Sequence, residues 1–220
     1  MTDYSLWLLL HVMLLVFWLG TDVGVFVAAK FSERSELSVE TRATVLKVGM
    51  LLDRLPRSAL VLILPSGLML ARGSGLVDVS MGITIAVWAV ALVWLVILWT
   101  GFLNPETPTE ARAMLFNFAM NALLAVVVTG LGGWLFVADQ LPAWLALKVL
   151  IVGLVFVAGV VLDVLFKPAV GHFVAIVAEG ATEERNRAYS TALAPVYWAV
   201  LAIYAFVIVA TVAGISRWPT

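Results

Sequence analysis

The chain has 220 residues, of which 63% are hydrophobic and 12% charged, with a net charge of −1 and no cysteine. That composition lies far outside the range of soluble globular domains and points to an integral membrane protein. The lack of cysteine excludes disulfides, thiolate metal sites and cysteine nucleophiles, and the near-neutral charge gives no basis for a nucleic-acid partner.

The chain opens with Met1-Thr2-Asp3-Tyr4-Ser5, which has no basic region. The apolar run beginning at Leu6 is therefore read as a retained span and not as a cleaved signal. Six segments are long enough to cross an apolar core of about 30 Å, which takes roughly 20 helical residues. They cover approximately 6–29, 46–71, 82–103, 112–137, 143–166 and 190–215. The second is the least apolar, because Asp53, Arg54 and Arg57 lie inside it. Period-two alternation is absent and the runs are too long for barrel strands. The expected fold is an all-α integral membrane protein, with six transmembrane helices in one transmembrane domain over 1–220, surrounded by a lipid bilayer. Among the loops, only 30–45 and 167–189 have room for structure of their own.

Orientation follows from the loop cations. Lys30, Arg34, Arg42, Lys47, Arg112, Lys167, Arg185 and Arg187 fall on one side, against Arg72 and Arg217 on the other. Cation-rich loops stay in the cytoplasm, which places both termini in the periplasm of a bacterial inner (plasma) membrane. Trp7, Trp134, Trp144 and Trp218 would then mark the outer interface, where indole rings prefer to sit. A shift of 63 residues aligns Ala59-Leu60 with Ala122-Leu123, Gly67-Leu68 with Gly130-Leu131, and Pro105 with Pro168. This pattern suits a parallel duplicated hairpin, helices 2–3 matching helices 4–5 about an axis along the membrane normal.

Polar groups inside the spans are the candidates for function, since each is costly unless it has a partner. His11, Trp18 and Asp22 lie within about 20° of one another on the helical wheel, a stripe running roughly 16 Å along the first helix. Asp53 and Arg57 have the favourable i, i+4 spacing, and Arg54 projects about 100° away. Asp22, Asp53, Arg54 and Arg57 read as a structural ion-pair cluster locking helix 1 to helix 2, because an unpaired charge there is expensive. Lys148 lies about as deep as His11, near enough to the interface for its amine to snorkel. The other histidine, His172, follows Lys167-Pro168 on the inner side. It should lie roughly 20 Å or more from His11, so the two cannot ligate one haem.

The string His11-x6-Trp18-Leu19-Gly20 in a first membrane helix, with Trp144-Leu145-Ala146-Leu147-Lys148 in a later one, resembles a group of bacterial membrane proteins. The group includes the HemJ-type protoporphyrinogen oxidases, the CopD-like copper-resistance proteins and the membrane urate hydroxylases called PuuD. The resemblance covers helix 1 and helices 4 to 6, leaving helices 2 and 3 as an extra hairpin. It implies a b-type haem (heme b) and assigns functional roles to His11 and Lys148. Two HemJ-like features have no counterpart: a histidine three turns past the lysine, where this chain is apolar around Val157 to Val160, and an Asn-Glu-x-Pro motif at the last helix.

The expected function is therefore that of a membrane haem protein in electron transfer or oxidation of a small membrane-associated substrate. His11 would be the axial ligand. Lys148 would act catalytically or on the cofactor, and Arg72 would hold a propionate. A redox partner or membrane-complex subunits would complete the system. Two alternatives come from the same residues. Copper handling would use imidazole with thioethers, Met13, Met69 and Met81 lying on the outer side, although Met13 is about 200° from His11 on the wheel. A non-catalytic accessory or assembly subunit would use the polar residues only to lock helices.

Overall fold

The computed structural model describes residues 3–218. Within them are seven helices and no strand: α1 Asp3–Ser32, α2 Val39–Leu52, α3 Arg54–Gly73, α4 Met81–Leu103, α5 Pro108–Val137, α6 Ala143–Glu179 and α7 Glu183–Ser216. With α2 and α3 counted together, six stretches are long and apolar enough to cross a membrane. The helices expose aliphatic surface, with Val126 74%, Leu115 69% and Val96 66% accessible. Water penalises such surface and lipid does not. The chain is an all-α, six-span membrane protein.

The second span is interrupted where its charges lie. Pro56 has no N–H to give the carbonyl four residues back, so α2 stops at Leu52 and α3 restarts at Arg54. Asp53 between them keeps helical dihedrals, and its carbonyl accepts from Arg57 N–H at 3.3 Å.

The chain gathers into two compact units, the first formed by the chain up to Val25 with Met50–Asn117, the second by Phe26–Gly49 with the chain from Phe118 on. In the first unit α3 and α4 form a hairpin. Ser80 caps α4 by accepting from Ile83 N–H, and α4 buries Thr84, Ala91, Trp94 and Leu98.

In the second unit α5 and α6 approach at two glycines. A Cβ on Gly153 would stand 2.5 Å from Thr129 N, and one on Gly132 would meet the Leu150 backbone. Close approach is what small residues permit between membrane helices. The α6–α7 hairpin is longer than the spans read from sequence. α6 has 37 residues, about 55 Å at 1.5 Å each, against a core of about 30 Å. It runs through Lys167-Pro168 and ends only at Gly180, whose φ is 90°. An interior proline costs about 3 kcal/mol. The extension offsets this by burying Ala169 and Ile176 against Tyr189, Leu193, Val196 and Tyr197 of α7, at roughly 1.5–3 kcal/mol per large apolar side chain. Most of the segment 167–189 is thus helix and not loop.

Candidate functional site

The first unit holds the His11 site. His11 Nδ1 lies 2.9 Å from Ser66 Oγ on α3, and Ser66 Oγ donates to Ile63 O at 3.0 Å. A hydroxyl has one proton. With that proton on Ile63, Ser66 accepts from His11 Nδ1–H. A neutral imidazole in this pose carries its lone pair on Nε2. Ser66 is fully buried, and Gly67 beside it gives the ring room: a Cβ there would stand 3.3 Å from His11 Cε1. Gly130, its partner in the 63-residue shift, has nothing within 4 Å, so the aligned glycines do different work. Along α1 the expected stripe turns inward: Trp18 is 7% exposed, and His11 and Asp22 are half-buried.

One turn from His11, Trp7 meets Trp88 of α4 with ring centroids 5.4 Å apart. Trp88 Nε1 is buried without a hydrogen-bond partner among the described residues. One turn back along α4, Thr84 Oγ1 accepts from Arg72 Nη1 at 3.5 Å, and Met81 Sδ lies at 3.5 Å from the same nitrogen. Met81 and Met13 are otherwise exposed. A guanidinium on the Met81 thioether opposes a second cation there.

The charges of α3 divide. Arg57 Nε pairs with Asp53 Oδ2 at 2.6 Å, as the i, i+4 spacing requires. Arg54 reaches α4, donating from Nη2 to Phe102 O at 3.0 Å. That carbonyl belongs to the last turn of α4, where no intrahelical N–H is left to satisfy it, and a cation there complements the helix dipole. Arg54 therefore caps α4.

In the second unit Lys148 does not run out to the interface. Its Nζ lies against α7, where a Cβ on Gly214 would be 2.7 Å away. Gly214 is in the last turn of α7, whose terminal carbonyls and dipole favour a cation. The described residues place no carboxylate against this amine.

The most buried charge belongs to a residue that reads from sequence only as a loop cation. Arg42 is fully buried. Its Nε donates to Ser32 O at 2.6 Å and its Nη1 to Asn186 Oδ1 at 2.9 Å. Ser32 Oγ is 2.6 Å from Tyr189 OH, and Glu33 next to it accepts from Tyr197 OH. These bonds tie the end of α1 to α2 and α7. His172 is exposed on α6, beside a shallow groove with Glu184, Arg187, Ala188, Thr191 and Ala192.

Sequence reasoning found His11 but not Ser66, Gly67 or Trp88. The signal for the first two was Pro65-Ser66-Gly67, a small polar step inside an apolar run; Trp88 carried none, being one of nine tryptophans. Among the described residues no three His, Cys, Asp or Glu side chains gather into a metal-holding group. Compared with family models, curated proteins and solved structures, the chain matches none.

Proposed function

We infer that the chain is a b-type haem protein of the bacterial inner membrane, with His11 as axial ligand, acting in electron transfer or in oxidation of a small membrane-associated substrate. The observation that carries the reading is the chain His11 Nδ1–H to Ser66 Oγ to Ile63 O. Histidines that bind metal usually donate their other ring N–H to an oxygen, which fixes tautomer and ring orientation and raises basicity. A single imidazole held this way suits a ligand that brings most of its own coordination, as a porphyrin does. The unspent N–H of Trp88 also fits a bound group.

When bound, the haem supplies one-electron chemistry. The protein's part is to hold one imidazole in one tautomer, keep the site within the apolar span and offer donors to polar groups of the cofactor. Lys148, held inward at the end of α7, is the group of the second unit proposed to act on an anion or to donate a proton. Lys148→Arg keeps the charge but not its compact geometry. It should retain more activity than Lys148→Ala if charge alone is needed.

The test is the absorption spectrum of the purified protein, oxidised and dithionite-reduced. A Soret band that shifts on reduction supports the reading. Bound metal without a Soret band would favour copper handling, and neither would favour an accessory subunit.

A further inference from the structure

We propose that Trp88 and Arg72 form a carboxylate-binding subsite that holds a propionate of a planar aromatic ligand against the Trp7–Trp88 pair. The proposal rests on the haem reading for the identity of that ligand. Three observations lead to it. Trp88 Nε1–H is a buried donor with no acceptor among the described residues, a costly state inside an apolar span that an incoming oxygen would relieve.

Arg72 is half-buried, and its hydrogen bonds are long ones, 3.5 Å each, to a neutral hydroxyl and a thioether. The described residues set no carboxylate against it. It therefore keeps guanidinium donors and a positive charge to offer.

The two groups are also adjacent. The Arg72 contact, Thr84, and Trp88 are i, i+4 on the same face of α4, which puts their Cβ atoms about 5–6 Å apart. Arg72 thus reaches the turn of α4 next to Trp88, and a guanidinium and an indole N–H on neighbouring turns can serve the two oxygens of one carboxylate, with charge-assisted bonds among the strong ones. The paired indole rings explain why the body should be flat and aromatic, since offset or tilted packing against a ring plane is favourable. Both residues belong to the same unit as His11.

The experiment uses iron-free protoporphyrin IX, which has two propionates, and its dimethyl ester, which has none free. Each is titrated into the purified full-length protein in detergent and followed by porphyrin absorbance. The wild type should bind the diacid about tenfold or more tighter than the diester. Trp88→Phe, which keeps an aromatic ring but removes the N–H, should weaken the diacid about tenfold more than it weakens the diester. Arg72→Gln should act in the same direction. Helix content by circular dichroism and the melting temperature in detergent establish that each variant is folded before its two affinities are compared.

Equal binding of diacid and diester by the wild type would overturn the proposal. So would a Trp88→Phe variant that binds the diacid normally or loses both ligands alike. Iron is absent from these probes, so the outcome does not depend on His11. If a His11-dependent Soret band coexists with no carboxylate preference, the haem reading stands and the subsite falls. Carboxylate-selective binding in a protein that takes up no haem keeps the subsite and removes the axial role of His11.

Discussion

His11 and Ser66 lie 55 residues apart in sequence and 2.9 Å apart in the first unit, with the Ser66 proton already committed to Ile63 O. One buried hydroxyl thus decides which nitrogen of the imidazole can receive a ligand. Ser66→Ala should keep the fold, since it removes one neutral bond worth about 0.5–1.5 kcal/mol. It should weaken haem retention roughly 10–100-fold, the usual effect of losing a ligand's outer partner. Haem titration of the variant checks this, and unchanged affinity would mean the tautomer is set elsewhere.

Gly67→Val should do by volume what Ser66→Ala does by chemistry. A Cβ at 67 would stand 3.3 Å from His11 Cε1, so a branched side chain must push the ring aside. Overpacking of this kind costs about 1–3 kcal/mol. A lower melting temperature together with lost or altered haem binding is the expected result. Gly130→Val, at the position aligned with Gly67 but with open space around it, should change neither.

Arg42 should be the most damaging single change at the end of the second unit. Arg42→Ala strands Asn186 and the Ser32 carbonyl and opens a large void beneath Phe173. The expected loss is about 3–5 kcal/mol, in the range for breaking a buried polar cluster. Arg42→Lys should recover little, because an ammonium lacks the fork that reaches both acceptors. Thermal unfolding in detergent measures both, and a lysine variant as stable as wild type would contradict this account.

Asp22 is expected to partner the Asp53–Arg57 pair from α1. Asp22→Ala should lower folded yield strongly, and Asp22→Ala with Arg57→Ala should regain part of it, since removing one partner alone leaves a buried charge. A double variant worse than either single one would show that the residues act independently.

Long apolar runs made the six spans and the all-α class legible from sequence. The ends of the spans were not. Lys167-Pro168 looks like a terminus because the cost of proline is local. The burial of Ile176 and Ala169 against Tyr189 and Leu193 that outweighs it depends on a segment read as loop. The same holds for the site. His11 stands out by residue type, and the Asp53–Arg57 pair by spacing. Arg42 did not, because burial of a loop cation is set by α1 and α7, and nothing in its neighbours reports that. Arg54 was legible as a charge reaching another helix, but its target, the last turn of α4, is a backbone group with no sequence signature.

The most direct test of the central claim is haem content per protein in wild type, His11→Ala and His172→Ala, each purified from cells supplied with haem. His172 is exposed on α6 and should be dispensable. A Soret band is expected in wild type and in His172→Ala, and its loss in a His11→Ala protein that remains folded in the membrane. Full haem content in His11→Ala, or none in wild type, would contradict that claim.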